Sequence, residues 1–434
     1  MKRKNIKDTT IFIIGFSILF FAGIFIFMPK RMLESEIGEE ENYATGWIDS
    51  LKNKDSDCAE LNSMERDIRN FMSKWDIKGL SIAISRNDSL LYAKGLGWAD
   101  REKEIPMEVN NIMRIASASK LITAAAIMKL AEEGKLSLES KVLGPGGILN
   151  RKDFNEAISD GRMENITVEN LLRHQGGFTL GAGDPMFNTA ELKKAKKLDH
   201  APSNDELVRI VLQRRLGFEP GNGRKYSNFG YMLLSLVIEK VTGESYWDYV
   251  QKNILNPAGV YGFRPGTNYY DERHPDEVRY YSPDAELVED INDASKMVDR
   301  CYGGANIHNL LGAGGWCASA ADLCRFVASI DGDPNLQDIL SKKSVERMTA
   351  YQEKEKLSLG WSDSDEHGVW TRSGTLSSAH ALIMHFPDGE CWVITMNTGV
   401  WTGFRFTRSL ERLVETLRTR YSNLLPSRNL FVSK

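Results

Sequence analysis

Cysteine is scarce in this chain: Cys58, Cys301, Cys317, Cys324 and Cys391 are the only five in 434 residues, with no CxxC pair and no Cys/His ligand spacing. That excludes a disulfide-stapled scaffold and a zinc motif, and the odd count leaves at least one thiol unpaired within the chain. An excess of one charge is also missing. The 55 basic and 59 acidic residues nearly cancel to a net charge of −4, so no basic field draws the chain to nucleic acid. There is no internal repeat, no low-complexity tract and no Pro/Gly-rich linker inside residues 61–425. Length alone allows two or three domains. The unbroken composition instead favours one two-lobed unit with its site between the lobes, and 42% hydrophobic content suffices for its core.

One long apolar run is present. Residues 11–28 are interrupted only by Ser17 and two glycines, about the minimum for a bilayer span. Lys2, Arg3, Lys4 and Lys7 precede it and only Lys30 and Arg31 follow closely, so the positive-inside bias puts the N-terminus in the cytoplasm and exports the rest. The expectation is a membrane anchor over 1–30, single-pass, with an extracytoplasmic catalytic domain. A cleaved signal peptide is the competing reading; the run is long for one, and Pro29-Lys30-Arg31 stands where a small-residue cleavage site belongs. Residues 31–60, with Glu34, Glu36, Glu39, Glu40 and Glu41, read as a solvated acidic tether. The folded part is expected over 61–425, followed by a tail at 426–434.

Leu80-Ser-Ile-Ala-Ile84 alternates at period two and, after the turn residues Arg86-Asn-Asp-Ser89, meets Leu90-Leu-Tyr-Ala93, which predicts a β-hairpin. A second hairpin is predicted from the strand-like runs 379–386 and 391–396 around Pro387-Asp-Gly-Glu390. Residues 406–425 show helical spacing of Leu410, Leu413, Val414 and Leu417. Between these ends lie predicted helices at 120–133, 231–242 and 246–255, stopped by Gly134, Gly243 and Pro257.

Ser117-Ala-Ser-Lys120 is the only Ser-x-x-Lys of the folded region. On a helix, residues three apart share a face, so the Lys120 amine reaches the Ser117 hydroxyl. A helix starting at Ser117 also offers free N–H groups to a developing oxyanion. Serine needs a base, and lysine serves as one only when burial or a second cation lowers its pKa. Taken alone, the pattern also fits a serine N-cap followed by a surface lysine. Tyr226-Ser-Asn228 lies after Glu219-Pro-Gly-Asn-Gly223 and before an apolar helix, so a loop entering that helix presents a phenol and an amide together. Tyr226 is a candidate proton relay, and Asn228 a candidate to orient Lys120 and bind a substrate carbonyl. A satisfied core tyrosine and an Asn turn explain the same residues. Trp370-Thr-Arg-Ser-Gly-Thr-Leu376 reads as a strand whose Gly374 permits close backbone approach.

In this order, Ser-x-x-Lys, Tyr-x-Asn and x-Ser/Thr-Gly resemble the serine β-lactamase and penicillin-binding-protein superfamily, and the Tyr-x-Asn form resembles its class C branch. The landmarks Lys94-Gly-Leu-Gly-Trp-Ala-Asp100, Arg114 to Ala124, Glu132-Glu-Gly-Lys-Leu-Ser-Leu138, Ile166 to His174 and Gly314 to Leu323 extend the likeness over roughly 61–425. The resemblance implies an α+β, β-lactamase/transpeptidase-like fold. An antiparallel sheet with flanking helices would come from 61–115 and 355–425, and an all-α lobe from 116–354. It implies cleavage of an amide or ester in a small molecule or peptide through an acyl-enzyme, with no metal or other cofactor. Carried onto this chain, Ser117 attacks, Lys120 and Tyr226 exchange protons, and Asn228 positions substrate. Arg372, Ser373, Gly374 and Thr375 line the substrate, and the N–H groups of Ser117 and Thr375 form the oxyanion hole. A catalytically silent, membrane-tethered binding module is the alternative.

Arg372 departs from the family, which usually has Lys or His there. Arginine cannot be a base at neutral pH but holds a carboxylate through two parallel hydrogen bonds. The strand reading places it at the rim of the cleft; pairing with Asp363 or Glu366 is the competing expectation. His174 and Gly176-Gly177 read as a structural helix end, and His380 as a sheet position.

Overall fold

The computed structural model describes residues 46–179, 183–282, 287–351, 358–400 and 404–432. Both predicted hairpins form. The first is β1 (Gly79–Arg86) and β2 (Ser89–Asp100), to which β3 (Ile105–Pro106) adds; the later strands are β4 (Asp363–Ser364), β5 (Trp370–Leu376), β6 (Ala379–His385) and β7 (Glu390–Met396). They make one antiparallel sheet in the order β3-β2-β1-β7-β6-β5-β4. Its centre joins the chain ends, with Leu80 opposite Met396 and Arg86 opposite Glu390.

Every residue of β6 and β7 is buried, because helices cover both faces. Side chains alternate between the two. Ile82, Ile84, Trp392 and Ile394 pack on one face with α1 (Asn62–Lys74), while Ala83, Ile383 and Val393 face α2 (Ser119–Glu132) and the helical part. α2 is buried nearly all round, as an unbroken apolar sequence requires, and Gly134 at φ +67° ends it. α3 (Asn228–Thr242) lies beside it and ends at Gly243, φ +73°. Then α4 (Ala320–Val327) lies on the sheet, and α5 (Phe404–Tyr421) sends Phe406, Leu410, Val414 and Leu417 into the α1 face. The helix expected over 246–255 is Tyr246–Val250 continued as a π turn, Gln251–Leu255.

Three expectations need correction. The segment 116–354 is not an all-α lobe: it carries strands at Arg264–Pro265, Leu287–Glu289, Met297–Asp299 and Trp316–Ala318. Its α4 also belongs to the sheet, where the Cys324 thiol meets Ser85 Oγ at 3.1 Å. The described end of the tether, residues 46–60, packs on the unit, with Ile48 and Leu51 buried and Asn53 holding both Gly95 N and Gly95 O. Burying those two side chains contributes roughly 1.5–3 kcal/mol each, which no acidic-tether argument anticipates. The tail is docked too, with Phe431 buried against Trp47 at a ring separation of 5.1 Å. The apolar run 11–28 lies outside the described residues, and among the described residues no helix is long and apolar enough to cross a membrane.

Candidate active site

Ser117 sits in a 3₁₀ turn, Ala116–Ala118, immediately before α2. Ala116 is left-handed at φ +49°, a strained setting for a residue with a Cβ, and neighbours hold it there. Ser119 Oγ donates to the Ala116 carbonyl at 2.7 Å and accepts from Trp316 N at 3.2 Å, while Ile115 N donates to the Trp316 carbonyl. The turn leaves Ser117 partly exposed and one helical turn from Lys120.

Ser227 caps α3 by accepting from Gly230 N at 3.0 Å, a contact typically contributing ~1 kcal/mol. The cap keeps Tyr226 in the preceding loop and makes Asn228 the first helical residue. Tyr226 OH lies 2.6 Å from Ser117 Oγ. Lys120 Nζ donates to Ser117 Oγ at 3.2 Å, to Asn228 Oδ1 at 2.7 Å and to the Ala313 carbonyl. Those three acceptors use all three donors of an ammonium, so with Lys120 charged the Ser117 hydrogen is directed to Tyr226. With Lys120 neutral, two donors keep Asn228 and Ala313 and the lone pair faces Ser117. One hydroxyl is thus flanked by two groups able to take its proton.

Electrostatics suit that task. Burial lowers the Lys120 pKa to about 8; the Arg372 cation adds to the fall and Tyr226 opposes it. Burial by itself raises the Tyr226 phenol, but Lys120 and Arg372 outweigh it and bring the group below its ordinary value. Tyr226 is 38% exposed, with its hydroxyl on Ser117 and the Lys120 ammonium 4.8 Å from its ring centre.

β5 supplies the other wall. A Cβ on Gly374 would lie 2.4 Å from the Ile115 carbonyl and 2.8 Å from Ser117 N, so only glycine lets the strand come this close. Ser373 N donates to Ser362 Oγ, and Thr371 O accepts from Ser362 N, which places the odd-numbered peptide groups of β5 on the edge away from β6. Past the short β4, which pairs only with Trp370 and Thr371, no described strand pairs with that edge at Thr375. Its N–H therefore points out of the sheet one residue past Gly374, whose built Cβ meets Ser117 N, and it is the group expected to share an oxyanion with Ser117 N.

A family model described as Beta-lactamase matches residues 64–414. The chain belongs to the Beta-lactamase family. It is similar to penicillin-binding protein 4* of Bacillus subtilis (strain 168), 30% identical over 212 residues, or 48% of this chain and 42% of that protein. It is also similar to protein flp of Staphylococcus aureus (strain MW2), 26% identical over 82% of this chain and 65% of that protein, so it spans less than two thirds of either relative. Among solved structures, a D-amino acid amidase from Ochrobactrum anthropi SV3 superposes with a TM-score of 0.62 at 19% identity, covering 83% of this chain and 99% of that one.

Against this Beta-lactamase frame, the structure brings Ser117, Lys120, Tyr226 and Asn228 together and sets Gly374 beside Ser117. Arg372 is corrected. It is not at the rim but only 2% exposed, and its Nε donates to the Ser117 carbonyl at 2.7 Å, with neither Asp363 nor Glu366 as partner. The even-numbered side chains of β5 point toward the nucleophile, so Arg372 goes where Gly374 goes. His174 is structural, as expected. It is left-handed at φ +58°, accepts from Ser227 N through Nδ1 and shelves the Tyr226 ring at 4.4 Å; burial and the cations Lys120, Arg372 and Arg224 keep it neutral. His380 sits on β6, and burial lowers its pKa to about 4. Its Nε2 accepts from Val400 N, so Nδ1 carries the proton and donates to Thr375 Oγ1 at 3.1 Å. Sequence reasoning missed Asp184, whose Oδ2 accepts from Asn228 Nδ2 at 2.7 Å, and the Ala313 carbonyl. Neither carries a signal in one sequence: one is an acid in a glycine-containing loop, the other a main-chain atom.

Proposed function

We propose that the chain is a serine hydrolase that cleaves an amide or ester bond of a small molecule or peptide through a Ser117 acyl-enzyme. The observation that carries this reading is the Ser117 hydroxyl standing 2.6 Å from Tyr226 OH and 3.2 Å from Lys120 Nζ. Ser117 Oγ attacks the carbonyl carbon while its proton passes to Lys120 or Tyr226. The carbonyl oxygen takes up negative charge between Ser117 N and Thr375 N, and Tyr226 returns the proton to the leaving group. Water then attacks the ester, and Ser117 leaves with its proton restored. The B. subtilis relative is named for binding penicillin, which supports β-lactams as probes.

The test is to incubate the protein with a fluorophosphonate and with labelled penicillin and to locate any adduct by mass spectrometry. Modification of Ser117, lost in Ser117→Ala, is expected. An unmodified wild type, or equal labelling of the alanine variant, overturns the reading.

The apolar run 11–28 and its basic flank support a further part of the proposal, that the catalytic unit is held on the extracytoplasmic face by an uncleaved N-terminal segment. The full chain is expected to stay with membranes through carbonate washing, and a chain beginning at Gly46 to be soluble and equally labelled. A mature form starting just beyond Met28 would replace the anchor with a cleaved signal.

A further inference from the structure

We propose that Asp184 is a positioning residue for this chemistry, fixing which end of the Asn228 amide faces Lys120; the proposal rests on the acyl-enzyme reading above. An amide offers an oxygen and an NH₂ of nearly equal shape, and only the oxygen can receive a lysine donor. In the structure Lys120 Nζ donates to Asn228 Oδ1 at 2.7 Å and Asn228 Nδ2 donates to Asp184 Oδ2 at 2.7 Å. A carboxylate accepts and never donates. Its place at the far end therefore makes one amide orientation correct, much as a carboxylate fixes a catalytic histidine.

The carboxylate is itself held. Asp184 Oδ1 accepts from Met186 N at 3.0 Å, and its carbonyl accepts from Phe187 N and Asn188 N as the chain turns into the helix Thr189–Lys196. Asp184 also borders a cavity of about 240 Å³ that Arg214 and Arg215 line. The groups acting on buried Lys120 are then Tyr226, Arg372, Asp184 and the neutral His174. Burial and Arg372 draw its pKa down; Tyr226 and Asp184 hold it up.

A group that merely shaped the 184–188 turn would affect folding and leave the titration of Lys120 alone. The discriminating experiment is the pH dependence of Ser117 labelling by a fluorophosphonate in Asp184→Asn and Asp184→Glu, with thermal melts of each. Asp184→Asn removes the charge, so Lys120 loses its proton more easily. The acidic limb should move down by about half a pH unit or more, and the plateau rate should fall about tenfold or more. Asp184→Glu should restore the limb and most of the rate. A limb in Asp184→Asn that coincides with wild type overturns the proposal, as does a rate loss that only tracks a lowered melting temperature. Following the Lys120 ¹⁵Nζ resonance against pH separates the two claims. If wild-type Ser117 is never labelled the acyl-enzyme reading fails, yet the Lys120 titration, shifted or unshifted in Asp184→Asn, still decides Asp184.

Discussion

The Arg372 guanidinium donates from Nε to the main-chain carbonyl of Ser117 at 2.7 Å, so a permanent cation stands directly behind the nucleophile. It cannot titrate. What it does is bias its neighbours, since Lys120 and Tyr226 are both lowered by its charge.

Replacing Arg372 by Ala should therefore let the Lys120 pKa rise. The acidic limb of Ser117 labelling is expected to move to higher pH, opposite in sign to the shift from removing the Asp184 charge. The variant should also lose about 1–3 kcal/mol of stability, because the Ser117 carbonyl loses its guanidinium donor and a buried side chain is deleted. Labelling measured from pH 5 to 10, with denaturant melts, checks both; an unmoved limb removes Arg372 from the electrostatic account.

In the wild type, Lys120 has to be neutral to accept the serine proton. Its pKa of about 8 then predicts labelling that falls about tenfold per pH unit below that value and levels above it. Tyr226→Phe deletes a hydroxyl 2.6 Å from Ser117 Oγ and should slow acylation by about 10²-fold. Stopped-flow acylation with a chromogenic β-lactam or ester reads both, and wild-type rates in Tyr226→Phe would exclude it from proton transfer.

Gly374→Ala puts a methyl group 2.4 Å from the Ile115 carbonyl, on backbone that cannot rotate away. The strand has to retreat from Ser117, at a cost of about 1–3 kcal/mol. The Thr375 N–H retreats with it, and labelling should drop about 10²-fold, the usual scale for losing one oxyanion donor. Full labelling in this variant would disprove the placement of that donor.

Phe431→Ala tests the docked C-terminal end. Its ring is 4% exposed and meets Trp47 edge-on, so the substitution should cost about 3 kcal/mol and lower the melting temperature without moving the labelling pH profile.

Much of this was legible beforehand where local pattern and long-range packing agree. The hairpins around Asn87-Asp88 and Asp388-Gly389 follow from alternation and turn residues, and Gly134 and Gly243 end their helices where predicted. Ser117, Lys120, Tyr226 and Asn228 were found from their residue types and order. What stayed hidden depends on partners far along the chain. Residues 46–60 look solvated until Asn53 is seen grasping Gly95, and Arg372 looks exposed until the Ser117 carbonyl is seen behind its strand. Asp184 is unreadable in isolation because its meaning lies in an amide 44 positions away.

The central pairing of Leu80 with Met396 has a consequence for biosynthesis. A ribosome releases the β1–β2 hairpin long before β7, so the β1 edge that pairs with Glu390–Met396 waits unpaired until that strand emerges. The sheet cannot close by propagation from the first hairpin, because its middle seam is made from the last strand. During that interval the nascent hairpin is an open edge exposed to other chains, so yield of the intact protein should depend on holdase chaperones shielding it more than on any property of the finished fold.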